Sequence, residues 1–197
     1  MLIAVDGPNG VGKTTFIDKL NECLLKEGLC TYVTKEPTRT MLGDFVRMFA
    51  EEENNRTTVA YLVAADRYNH FHTELKTLLE QPIIIICDRY IMSSFILQGM
   101  DGVEEKIIAE LNDNVKLPDL QVVLTASEKM IRKRLCERDI ITRYEKDNPE
   151  QEILYTEKAY AWIVNHGVKT IKLKNENNED LEKNVRIISN IILKWEH

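Results

Sequence analysis

Five short apolar runs punctuate the chain, at Leu2–Val5, Cys30–Val33, Ile83–Cys87, Gln121–Leu124 and Lys169–Leu173, and each has the length of a strand. Between them, apolar residues return every three to four positions over about 13–26, 39–50, 57–79, 90–98, 104–115, 127–138 and 150–165, which predicts helices. One more such segment, 179–194, follows the last run. Ile83–Cys87 is apolar at every position, the pattern of a strand covered on both faces. Regular alternation of strand and helix predicts an α/β fold, a three-layer α/β/α arrangement around a five-stranded parallel sheet. No repeat or low-complexity linker divides residues 1–197, so one domain is expected. Asp139–Glu152 breaks the pattern. It is charged and weakly periodic, and reads as a loop that moves; Asn175–Asp180 reads as an exposed turn.

Composition narrows the range of functions. The 44 % apolar content is enough for a sizeable core, and the net charge of −6 argues against duplex nucleic acid as a partner, since such binding needs concentrated cations. A mononucleotide needs only a few. Cys23, Cys30, Cys87 and Cys136 lack the spacing of a zinc site and read as small hydrophobes of a reducing compartment. The longest apolar run, Ile83–Cys87, is too short to cross a bilayer, and the first strand leads directly into a motif. No membrane association and a cytoplasmic location are therefore expected.

That motif is Gly7-Pro8-Asn9-Gly10-Val11-Gly12-Lys13-Thr14, followed by Thr15, a full match to GxxxxGK[ST] between a predicted strand and a predicted helix. Glycines let the backbone curl so that N–H groups point at phosphate oxygens, and the helix start adds its positive dipole end. Lys13 is expected to bridge the β- and γ-phosphates, and the Thr14 hydroxyl to ligate Mg²⁺. Residues 7–15 thus form the expected ATP site, within a fold of the P-loop NTPase type.

Asp88-Arg89 sits where an apolar strand ends, the edge at which open α/β sheets bind ligands. An acid there suits Mg²⁺ held through water, and Arg89 suits a phosphate gripped by a planar fork. Arg67 falls on the apolar stripe of Val59, Val63, Phe71, Leu75 and Leu78. An inward cation needs a partner, either an anionic or carbonyl ligand or a structural ion pair. His70 and His72, two apart on the same predicted helix, read as non-catalytic.

Together the residues resemble the thymidylate kinase family. The resemblance rests on Asp6–Thr15, Thr34-Lys-Glu-Pro37 with Gly43 and Arg47 beyond it, Leu62-Val-Ala-Ala-Asp-Arg67, Asp88-Arg-Tyr-Ile-Met-Ser-Ser94 with Gln98-Gly99, and Pro118-Asp-Leu120. Thr142-Arg-Tyr-Glu145 is similar to the family's lid, which places a lid at about 138–150. The resemblance implies transfer of the ATP γ-phosphate, with Mg²⁺, to a pyrimidine deoxynucleotide such as dTMP, and a homodimer. It also implies roles: Arg67 reads the base carbonyl, Arg89 holds the acceptor phosphate, Ser94 and Gln98 edge the base, and Glu36, Arg39 and Arg47 lie near that phosphate. The chain departs from the pattern at Val63, where the family has a stacking ring, and at Leu97, where it often has a tyrosine. Asn9 replaces a frequent acid and Lys35 a frequent arginine.

A phosphate acceptor is already a nucleophile near neutral pH, so positioning and charge stabilisation are the chemical task. Lys13 and Arg89 supply part of it, and the arginines around the charged loop, Arg134, Arg138 and Arg143, are candidates for the rest. Each also reads as a solvated helix-end cation. Tyr144 either covers the acceptor sugar or packs. Two rival readings stay open: a deoxynucleoside kinase with Glu36 as its base, and a nucleotide sensor without phosphotransfer. Against the first stand Asp88-Arg89-Tyr90 and the lack of a tryptophan soon after Pro37; against the second stand the arginines that imply a second small ligand.

Overall fold

The computed structural model describes residues 1–52, 55–138, 142–146 and 149–195. Its strands are β1 (Leu2–Asp6), β2 (Thr31–Lys35), β3 (Ile84–Asp88), β4 (Leu120–Thr125) and β5 (Thr170–Lys174). The helices are α1 (Lys13–Lys26), α2 (Met41–Glu51), α3 (Arg56–His70), α4 (Lys76–Leu79), α5 (Ile91–Met100), α6 (Glu105–Asn112), α7 (Glu128–Cys136), α8 (Arg143–Lys146), α9 (Pro149–Asn165) and α10 (Asn178–Leu193). All strand pairs are parallel, in the order β2-β3-β1-β4-β5. The predicted three-layer α/β/α architecture is therefore present, with each predicted strand at its expected place and β2 reaching two residues further, to Lys35.

Side chains on the central strands alternate between two cores, as the pleat requires. Leu2, Ala4, Ile85, Cys87 and Val123 face α3, α5, α6 and α9. Ile3, Val5, Ile86, Val122 and Leu124 face α1 and α10. Burying one large aliphatic side chain is worth roughly 1.5–3 kcal/mol, so this two-sided filling anchors the sheet edge where the loops meet.

Local chemistry sets the helix ends. Thr40 Oγ1 accepts from the Gly43 N–H, so α2 begins at Met41, two residues later than its periodicity predicts. Asn55, Ser127 and Asn177 cap α3, α7 and α10 in the same way. The helix predicted over 57–79 contains a π turn, Phe71–Leu75, between α3 and α4. Phe71, Leu75 and Leu78 all still pack on the core through that turn, so periodicity does not reveal it.

Register brings three chain segments to one edge. Val5 pairs with Asp88, and Lys35 pairs with Asp88 on the other side, so the loops after β1, β2 and β3 leave the sheet together. Since β1 connects out to β2 while β3 returns across β1 to β4, a crevice opens there. Of the lid expected at 138–150, residues 139–141 and 147–148 lie outside the described residues. Within it α8 is an addition to the elements predicted. Among the described residues no helix is long and apolar enough to cross a membrane.

Candidate active site

The loop after β1 curls tightly against β4. A Cβ on Gly7 would stand 2.3 Å from the Leu124 carbonyl oxygen, at a φ of 143°, so only glycine fits. Lys13 is buried, and its Nζ donates to the carbonyls of Gly7 and Pro8, each at 2.9 Å. Burial, then the nearby Arg89 cation, lowers its pKa to about 8. Thr14 and Thr15 expose their side chains at the start of α1.

Asn9 ties this loop to two distant elements. Its backbone N–H and Nδ2 both donate to Glu152 Oε1, at 2.9 and 3.0 Å. Its Oδ1 accepts from Arg89 Nη2 at 2.6 Å. Arg89 holds a left-handed backbone, φ 70°, and its Nη1 donates to Ser93 Oγ at 3.1 Å. A non-glycine residue in that region costs on the order of 1 kcal/mol, which the bonds at both ends of the guanidinium offset. Asp6, fully buried, accepts from Ser93 Oγ and, through its other oxygen, from Gln121 Nε2 at 3.0 Å. The loops after β1 and β3 are thereby locked together. Asp88 Oδ1 is buried without a hydrogen-bond partner beside this lysine and arginine. Such an orphaned carboxylate oxygen suits a hard divalent cation, and with the Thr14 hydroxyl it fits Mg²⁺.

A cavity of about 270 Å³ opens from this point. Asn9, Lys35, Asp88 and Arg89 form its polar end; Val46, Ala50, Val59, Val63 and Leu97 form an apolar wall. Glu36, Arg47, Arg67, Ser94, Gln98 and Tyr144 also line it, so most of the predicted acceptor residues come together. Arg39 is exposed and does not line the cavity. Arg47 donates to the carbonyls of Pro37 and Thr38 at 2.6 and 2.7 Å, and a Cβ on Gly43 would stand 2.1 Å from the latter oxygen. That close approach of α2 fixes the loop carrying Glu36.

Arg67 is 1 % exposed and has the structural partners that its inward position demands. Nε donates to Glu36 Oε2 at 2.6 Å, Nη1 to Ser94 Oγ at 2.9 Å and to Asn112, and Nη2 to the Tyr90 carbonyl at 3.1 Å. These bonds take four of the five N–H groups of a guanidinium and leave one on Nη2. Glu36, His70 and Cys87 cluster within 4.8 Å, a grouping that a metal could use in principle. Here burial pushes the Cys87 thiol well up and its S–H donates to the Arg89 carbonyl at 3.0 Å, while Glu36 and His70 bond to each other.

The lid arginines are placed by contacts that sequence patterns do not show. Arg143 clasps Asp101 with both Nη atoms, at 2.7 and 3.0 Å, while its Nε donates to the Ala50 carbonyl at 2.8 Å. Tyr144 donates to the same Asp101 at 2.7 Å, and burial, then Asp101, raises its pKa. Arg134 donates to the carbonyls of Val11, Asn175 and Glu176, at 3.0, 3.0 and 3.1 Å, and so ties the P-loop to the turn after β5. Arg138 lines a second cavity of about 300 Å³ with Gly12, Thr15 and Asn175. Sequence reasoning missed Asp6, Asp101, Asn112, Glu152 and Asn175. Their partners lie 40 to 165 residues away, and no local period encodes such pairs.

Two cavities thus flank one phosphate loop. A family model for thymidylate kinase matches residues 5–185. The chain belongs to the thymidylate kinase family. Among similar proteins, a probable thymidylate kinase of Caldivirga maquilingensis is 35 % identical over 150 residues, 75 % of this chain and 73 % of that one. A probable thymidylate kinase of Staphylothermus marinus is 27 % identical over 192 residues, covering 98 % and 94 %. The thymidylate kinase of Caldicellulosiruptor saccharolyticus is 36 % identical over 141 residues, 68 % of each chain. The thymidylate kinase match takes in the end of β1, the other four strands and both cavities.

Proposed function

We propose that the protein transfers the γ-phosphate of ATP to dTMP, yielding ADP and dTDP. The observation that carries this reading is the pair of cavities meeting at the P-loop, with Lys13 and Arg89 between them. ATP lies along residues 7–15, its nucleoside in the cavity lined by Arg138 and Asn175. The acceptor lies in the other cavity, its phosphate toward Arg89, Arg47 and Lys35, its base against Val63 and Leu97. The aliphatic wall suits the 5-methyl group and flat face of thymine, and Arg67, Ser94 and Gln98 offer polar groups to its edge.

The acceptor oxygen attacks the γ-phosphorus in line and ADP leaves; no proton must be abstracted from a phosphate already ionised. Backbone N–H groups of the P-loop and Lys13 hold the donor phosphates, while Arg89, kept in place by Asn9 and Ser93, holds the acceptor phosphate against them. Thr14 and Asp88 would hold Mg²⁺, which supplies charge neutralisation at the β- and γ-oxygens. Arg138 and Arg143 stand as the lid's contributions, with Arg143 seated on Asp101 and acting on the closed arrangement of Tyr144. Glu36, which a nucleoside kinase would need as its base, accepts from Arg67 and His70, and this favours a phosphate acceptor.

Residues 1–197 act as one catalytic domain in the cytoplasm, and a homodimer forms through α2 and α3. Met41, Phe45 and Met48 on α2 and Tyr61 on α3 are exposed apolar side chains on that side. Sedimentation of the wild type against Phe45→Glu tests the dimer; one mass for both overturns it. For the reaction, coupled ADP release is measured with ATP, Mg²⁺ and a panel of dTMP, dUMP, UMP, dCMP, dGMP and thymidine. Dominant turnover with dTMP is expected. Turnover with thymidine alone would move the protein to the nucleoside kinases, and none with any acceptor would leave a nucleotide sensor.

A further inference from the structure

His70 closes α3, is 2 % exposed and does not line the acceptor cavity. Both of its ring nitrogens are engaged. Nδ1 lies 3.0 Å from Glu36 Oε1, and Nε2 lies 3.0 Å from Thr34 Oγ1 and 3.2 Å from Glu74 Oε2. Glu36 gives its other oxygen to Arg67 Nε at 2.6 Å. A carboxylate that accepts from a guanidinium is ionised and has no proton to offer, so Nδ1 carries the hydrogen and donates. Glu36 therefore has one oxygen on Arg67 and the other on His70, and cannot turn without giving up a bond.

The far side of the ring is held just as firmly. The π turn that begins at Phe71 carries Glu74 back to Nε2, and Glu74 in turn accepts from Tyr32. Turns of this kind inside helices often accompany functional sites. A buried imidazole costs more than an aliphatic side chain unless its hydrogen bonds are made, and here every one is spent on holding a cavity-lining carboxylate or on holding the imidazole itself.

We infer that His70 is a positioning residue of the acceptor site: its Nδ1–H fixes the Glu36 carboxylate, which fixes the Arg67 guanidinium on the cavity wall. Acceptor affinity is thereby set by a group that never touches the acceptor. The inference rests on the reading of this cavity as the dTMP site.

The test compares His70→Asn with His70→Gln. Asparagine keeps an N–H donor near the δ position, toward Glu36; glutamine places its donor near the ε position, toward Thr34 and Glu74. Both remove the ring, so a purely structural role predicts the same melting temperature loss and the same kinetics for the two. Positioning predicts that His70→Gln raises the KM for dTMP about tenfold, far more than it changes kcat or the KM for ATP, while His70→Asn stays close to wild type. Equal KM values for dTMP in the two variants overturn the inference. Nitrogen NMR of the wild-type imidazole gives a check that needs no variant: a protonated Nδ1 is expected, and a bare Nδ1 overturns the inference. Calorimetric binding of dTMP to the wild type separates the two levels. No binding there removes the acceptor reading, and this inference with it; binding with identical variants removes this inference alone.

Discussion

The two sides of the P-loop are built from different materials. On the donor side the phosphates meet backbone N–H groups of the P-loop joined by Lys13, with Arg134 and Asn175 bracing a carbonyl of the same loop. On the acceptor side they are side chains, each fixed by another side chain: Arg89 by Asn9 and Ser93, Arg67 by Glu36, Ser94 and Asn112, Tyr144 by Asp101. A backbone cradle depends on glycines and a curl, so it tolerates change around it. A side-chain network fails wherever one partner is lost, because the other is left buried and unpaired.

The largest expected break is on the acceptor side at the transfer point. Arg89→Ala lowers turnover by about 10²–10³-fold, measured as ADP release at saturating ATP and dTMP. Next comes Asp101→Ala, which strands Arg143 and frees Tyr144. With side-chain exposures of 6 % and 16 %, the pair is buried enough that its loss costs about 2 kcal/mol, a fall in Tm of about 4–8 °C by calorimetry, together with a raised KM for dTMP. An unchanged Tm would show that the clasp carries no weight. A smaller effect belongs to the donor side. Arg134→Met removes the brace on the loop and weakens ATP binding roughly tenfold with the dTMP constant unchanged, read by titration of each ligand. Equal weakening of both ligands would erase the division between the two sides.

The smallest effect sharpens the donor side by pH. With its pKa lowered to about 8 by burial, Lys13 loses its charge as pH rises through that value, and phosphate binding favours the charged form. ATP affinity is therefore level below pH 8 and falls above it, approaching about tenfold per pH unit, with proton uptake on binding. Calorimetry in buffers of different ionisation heat measures that uptake.

The same division explains what the sequence reveals. The cradle is a contiguous motif, so residues 7–15 are legible at sight, as are five strands whose apolar runs are bounded by turns. Arg67 is half legible: a cation on an apolar stripe announces a partner but does not name Glu36, Ser94 or Asn112. Asp101 and Glu152 are not legible at all. Each looks like one acid among many on a helix end, and only the fold sets Asp101 against Arg143 and Glu152 against Asn9. The π turn at Phe71–Leu75 hides for a different reason, since its neighbours preserve the helical stripe through it.

Asn9 has a chemical fate that its position controls. Asn9–Gly10 is a dipeptide in which the side-chain amide readily cyclises onto the following nitrogen and loses ammonia. In the folded chain that amide is held at both ends, Nδ2 by Glu152 and Oδ1 by Arg89, which keeps it from swinging onto the backbone. An unfolded chain has no such restraint. Each excursion out of the native state exposes the step, and its product, an acid at position 9, would set a second carboxylate against Glu152 where Nδ2 now donates. Stored protein should thus gain this acid more slowly when it is kept native, and the folded site acts as the preservative of its own amide.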